Sequence, residues 1–166
     1  MKRKIRWRWP HQFTDVTPRP QAGGQGACDG GRRDDHYTDS DISVTFAEAN
    51  IVHAGDTYWN GIYPFIDYST GGRIEGMIAA SDANLAATTN DTIIIPGHGR
   101  PVSNKAELKE FRDMLVAIRE NVAKLKKQGR SREETVAAKP TAAFDAKWSQ
   151  FVINPGYFTR LVYEGV

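Results

Sequence analysis

The sequence holds a single cysteine, Cys28, in 166 residues. One thiol cannot close an internal disulfide, and no cysteine-based zinc cluster can be built around it. Cys28 lies in a glycine-rich stretch with no patterned histidine nearby and reads as inert. Long hydrophobic runs are also missing: no window approaches the roughly 18 consecutive apolar residues that a membrane-spanning helix needs. Met1-Lys2-Arg3-Lys4 has the charge of a signal-peptide start, but Trp7, Arg8, Trp9, Pro10 and His11 stand where an apolar core would be required. Secretory export is therefore not implied, and the expected compartment is the cytoplasm. Histidine is scarce. His11, His36, His53 and His98 are the only four, and no two are spaced by one residue, which excludes any His-x-His motif.

Apolar residues at 40% and charged residues at 25% are ordinary for a soluble globular chain, and the length suits one domain. The net charge of +2 conceals an asymmetry. Residues 1–35 carry eight Lys/Arg against four Asp, whereas residues 36–166 carry 14 against 16 acidic residues. The first stretch also holds eight Gly or Pro and no apolar period of 2 or 3.6. Ordering a backbone costs roughly 1–2 kcal/mol per residue, and this composition buries too little apolar area to offset that. Residues 1–35 are expected to be a disordered or loosely attached leader.

From Tyr37 the texture changes. Ile42-Ser43-Val44-Thr45-Phe46 alternates apolar and polar residues and is rich in β-branched side chains, which predicts a strand. A second strand is expected at 50–54, ending at Gly55-Asp56, and an aromatic and glycine-rich loop at 57–72. Ile74, Met77, Ile78, Ser81 and Leu85 mark one face of a helix near 73–88. Thr92-Ile93-Ile94-Ile95 is a short apolar strand closed by Pro96 and Gly97. Asn104 with Glu107 has capping-box form and opens a helix near 104–128, whose apolar stripe runs from Leu108 through Phe111, Leu115, Ile118 and Val122 to Leu125. Ser131 with Glu134 opens a short helix to Ala138, and further short helices are expected at 141–148 and 156–163. Strand, strand, helix, strand, helix is an α/β unit.

Two side chains in this frame can carry chemistry. His98 follows an apolar strand between Gly97 and Gly99, where the backbone can turn sharply and present the imidazole at the strand's C-terminal end. Asp56 ends the preceding strand in the same way, after Gly55. Each taken alone also suits a turn residue; the pairing points to function. Carboxylate oxygen plus imidazole suits zinc, iron or manganese. His36, in His36-Tyr37-Thr38-Asp39-Ser40-Asp41, adds a third candidate ligand.

Thr38-Asp39-Ser40-Asp41, then Val52-His53-Ala54-Gly55-Asp56, then Ile95-Pro96-Gly97-His98-Gly99 resemble, in order and spacing, the last three motifs of the metallo-β-lactamase superfamily. The resemblance covers about residues 36–166. It looks most like bacterial metallohydrolases of that fold whose middle carries Gly55-Asp56, Asn60-Gly61 and Tyr63-Pro64-Phe65-Ile66-Asp67. It implies an α/β fold that is the second half of an αββα sandwich, and a metal-dependent hydrolase. By the resemblance Asp56 would bridge two metals, His98 would complete the second site and His36 the first. The implied cofactor is zinc, with iron or manganese as alternatives, two per complete domain and fewer or none in this chain. Such a centre lowers the pKa of a shared water toward roughly 7 and polarises the scissile group. The substrate would be a small molecule, with Tyr58, Trp59, Tyr63 and Phe65 at the mouth; ordinary loop packing is the other reading of these four.

Two departures stand out. The family places histidine directly before Thr-Asp-Gly-Asp; here Tyr37 stands there and His36 lies one residue back, a displacement that a local bulge would restore. The family's His-x-His-x-Asp-His motif is absent, so the chain looks like the C-terminal half of a metallohydrolase behind an unrelated leader. With three candidate ligands, neither site reaches the three protein ligands of catalytic zinc. His53 reads as a packing residue or a support for the ligands. Two other functions compete. An inactive half-domain would pair with a complementary half, or with itself, through an exposed sheet face. The run Lys2-Arg3-Lys4-Ile5-Arg6-Trp7-Arg8-Trp9 would meet nucleic acid or a membrane surface through cations and stacked indoles, although no recognition fold surrounds it.

Overall fold

A computed structural model describes residues 41–166. The 1–35 leader, Cys28, the Lys2–Trp9 run and His36 lie outside the described residues. The elements are β1 (Val44–Phe46), β2 (Ile51–Asn60), α1 (Ile74–Ala86), β3 (Ile93–Gly99), α2 (Lys105–Lys127), α3 (Arg132–Ala137), α4 (Asp145–Trp148) and α5 (Pro155–Gly165). They form an α/β unit around a three-stranded sheet of order β1-β2-β3.

β1 and β2 pair antiparallel across a single 3-10 turn, with Asn50 in the left-handed region at φ 51° closing the connection. β2 and β3 pair parallel through the α1 crossover. β2 is longer than the pattern predicts, because pairing resumes beyond Gly55 and carries the strand to Asn60. β3 likewise runs past Pro96, which sits where the register slips between His53 and Gly55. Proline is tolerated at such an irregular step because no regular ladder bond is lost there.

One sheet face is covered by helices. Ala54 and Ile94 point into a core with Met77, Phe111, Leu115 and Phe158. α2 supplies its largest share: Leu108, Phe111, Met114, Leu115, Ile118 and Val122 are all buried, at roughly 1.5–3 kcal/mol for each large side chain. α1 has a mixed interior. Ile74 and Met77 are buried with two polar residues, Ser81 and Asn84. Asn84 earns its place by donating to Thr57 Oγ1 at 2.9 Å, while Thr57 donates to the Ala54 carbonyl at 2.6 Å. This chain of bonds ties α1 to β2 on both sides of Asp56.

The caps divide differently from their sequence form. Asn104 caps α2 by accepting from Glu107 N–H at 3.0 Å, but the Glu107 carboxylate turns away to Ser103 Oγ and Arg100. Ser131 and Glu134 close the full reciprocal box at the start of α3. The other sheet face carries Val44, Phe46 and Ile93, at 41%, 52% and 47% exposure. Their register partners His53 and Ile51 share that face, so it remains apolar and open among the described residues. No helix among the described residues is long and apolar enough to cross a membrane.

Candidate functional site

Asp56 lies midway along β2, at the break in its pairing with β3, and not at a strand end as expected, while His98 stands near the C-terminal end of β3. Gly55, at φ +54°, and register shifts on either side of it turn Asp56 out of the ladder. Its Oδ1 lies 3.3 Å from His98 Nε2. The two residues predicted to meet do meet.

The flanking glycines have separate reasons. A Cβ at Gly97 would stand 2.3 Å from Asp56 Oδ1 and 2.6 Å from the Gly55 carbonyl, so only hydrogen leaves room for the carboxylate. Gly99, at φ +88°, brings its backbone against the Asn60 carbonyl, which a Cβ would approach to 2.1 Å. Beyond it, Arg100 N–H donates to the same carbonyl at 3.1 Å. The Arg100 guanidinium donates to Asn60 Oδ1 at 3.4 Å and pairs with Glu107 at 3.3 Å. The start of α2 is thereby fastened to the ends of both strands.

Of the four aromatics expected at a substrate mouth, two are corrected to the core. Tyr58 is fully buried, with its hydroxyl 2.7 Å from Ser103 Oγ and its ring 5.2 Å from that of Phe111. Tyr63 is fully buried, stacks on Phe158 at 4.7 Å and donates to Asp145 Oδ1 at 2.8 Å. Burial pushes both phenols well above the ordinary tyrosine range; for Tyr63 the hydrogen bond with Asp145 pushes further the same way. Phe65 is 37% exposed and stacks against Tyr157 of α5. Trp59 touches the pair: its ring lies 3.9 Å from the His98 imidazole, and its Nε1–H donates to the Asp56 carbonyl at 3.0 Å. His53 is exposed, not packed, and accepts from Gly55 N–H at 3.2 Å. It braces the bulge just before Asp56.

An open cleft of about 550 Å³ begins at Gly99, beside His98, and is lined by Asn60, Gly61, Arg100, Lys147 and Gln150 among others. The Lys147 ammonium is paired with Glu110 at 2.5 Å.

The donor set can be tested against a cation. Two ligand atoms each about 2.0–2.2 Å from one tetrahedral ion stand about 3.4 Å apart. The 3.3 Å between Asp56 Oδ1 and His98 Nε2 matches one edge of that tetrahedron. It is also the spacing of a carboxylate–imidazole contact, which contributes little when both side chains are about half exposed. Catalytic zinc takes three protein ligands. Among the described residues no third His, Cys, Asp or Glu joins the pair, so these residues alone do not fit a complete metal centre.

No family model and no curated protein matches the chain. Solved structures do match. The similarity is to an alkylsulfatase. The stereoselective inverting sec-alkylsulfatase Pisa1 from Pseudomonas sp. aligns with a TM-score of 0.63 at 18% identity, over 80% of this chain and 23% of that one. A double mutant of that sulfatase aligns with a TM-score of 0.59 at 19% identity, with the same coverage. The chain thus spans 23% of the length of the sulfatases it matches. At this identity the likeness establishes the fold alone, an α/β arrangement found within part of those sulfatases.

Proposed function

We propose that this chain carries part of the active centre of a metal-dependent hydrolase of the metallo-β-lactamase superfamily, with Asp56 and His98 as two of the metal's ligands. The observation that carries the reading is their convergence at 3.3 Å on adjacent parallel strands, where the pairing of those strands is interrupted. The fold around the pair is similar to part of a hydrolytic enzyme, a sulfatase. The remaining ligands come from outside the described residues; His36 is the candidate in this chain.

Zinc is the proposed metal, because carboxylate and imidazole donors suit it at a two-ligand edge of this width. The test joins the chain to a preceding segment that carries His-x-His-x-Asp-His. Zinc content by atomic emission and turnover of a panel of chromogenic lactams, esters and secondary alkyl sulfates are expected to rise together. Asp56→Ala in the joined protein is expected to abolish turnover. Full turnover in that variant would overturn the assignment.

A second reading has its own support. The open apolar face of the sheet suits an inactive half-domain that associates through it. Under that reading the joined protein would fold more stably but gain neither zinc nor turnover.

A further inference from the structure

We propose that Trp59 is a positioning residue for Asp56 and His98, holding the imidazole with its ring and the backbone of Asp56 with its indole N–H. The inference rests on reading that pair as part of the hydrolytic site, and it assigns Trp59 a place behind the ligands instead of at the substrate mouth.

The geometry is specific. Trp59 stands directly opposite His98 in the parallel register, so both side chains leave the same face of the sheet. Their ring centroids are 3.9 Å apart with planes inclined by 31°, closer than the 4.5–7 Å usual for aromatic pairs. The indole reaches back three residues to the Asp56 carbonyl at 3.0 Å, across the stretch where the ladder is interrupted between Gly55 and Trp59. One side chain therefore spans the gap in the hydrogen-bond ladder and covers one side of the imidazole.

Exposure gives the direction of the effect. Trp59 is only 7% exposed, whereas the side chains of His98 and Asp56 are 43% and 51% exposed. An exposed histidine is free to sample several staggered rotamers. The buried indole removes the freedom that would carry the imidazole away from the carboxylate. Tyr58, the neighbouring residue, spends its ring on Phe111 and its hydroxyl on Ser103.

The experiment reads the His98 ring protons by NMR in the metal-free chain, assigned by comparison with His98→Gln. A stacked indole shifts them upfield. Trp59→Phe, which keeps an aromatic ring, is expected to retain much of the shift; Trp59→Leu is expected to return the protons to free-histidine positions, with those of His53 unmoved. Zinc titration of the same proteins is expected to show weaker binding by Trp59→Leu than by Trp59→Phe. Unshifted His98 protons in the unmodified chain would overturn the proposal, a result that does not depend on any variant folding. So would a shift that survives in a folded Trp59→Leu protein. If the shift is present and Asp56→Ala leaves zinc binding unchanged, the metal reading falls while the placement of His98 by Trp59 is supported.

Discussion

At Gly97 a missing side chain makes room for a carboxylate. An added Cβ would lie 2.3 Å from Asp56 Oδ1 and 2.6 Å from the Gly55 carbonyl carbon, and the backbone atoms cannot swing aside as a flexible side chain can. Gly97→Ala is expected to displace Asp56 from His98 and to cost about 1–3 kcal/mol from overpacking. Zinc titration alongside urea unfolding checks this: affinity should fall further than the stability loss accounts for. The buried tyrosines give a second expectation. Tyr58, Tyr63 and Tyr68 all have phenols raised above their ordinary value near 10, chiefly by burial. Above pH about 10 an unfolded chain releases these protons while the folded one keeps them, so the folded state binds more protons and its stability falls as pH rises. Their contribution is fully present below that pH. Tyrosinate absorbance should appear together with loss of near-ultraviolet circular dichroism; titration of all six tyrosines in a still-folded chain would contradict it. At this scale the meeting of Asp56 and His98 was legible, because a glycine precedes each of them. The burial of Tyr58 and Tyr63 was not. Residues 57–72 read as a loop, whereas the strand resumes beyond the slip at Gly55 and carries Tyr58 into the core, and Tyr63 is buried from the segment after it by its contacts with Phe158 and Asp145.

Among the elements, α2 was the most readable, since its apolar steps of three and four persist over about five turns and Asn104 caps it as expected. Met114, buried between the predicted positions, completes the same stripe. β2 and β3 were underestimated for a common reason. Gly55, Pro96 and Gly97 look like terminators, yet pairing between the two strands resumes beyond them at Trp59 and His98. What sustains the chain through the break is the Asn84–Thr57–Ala54 series of bonds from α1, which apolar periodicity has no means of revealing. Asn84 is 5% exposed. Asn84→Ala is expected to cost about 1–3 kcal/mol, because it leaves buried polar groups short of a partner. Chemical denaturation measures the loss, and amide exchange should quicken first at Thr57 and its neighbours. A change within about 0.5 kcal/mol would show that this bond does not brace the bulge.

The described residues combine one well-filled sheet face with one open face. Helices cover Val52, Ala54 and Ile94 on one side of the sheet, while Val44, Phe46 and Ile93 remain exposed on the other. The α/β class was legible from the order of the elements, and the similarity to 23% of a sulfatase chain agrees with a unit that is part of a larger arrangement in those enzymes. The ligand count has the same character. Two donors converge on the described surface with the spacing of one coordination edge, and the third, His36, was proposed from a motif that lies outside the described residues. The central claim is that Asp56 and His98 act on a cation together. Its most direct measurement is a calorimetric zinc titration of the chain beside Asp56→Ala and His98→Ala, each variant confirmed folded by circular dichroism. The account predicts weak zinc binding by the chain and a loss of about tenfold or more, or roughly 1.4 kcal/mol, in each variant. Equal zinc affinity in all three proteins would contradict it.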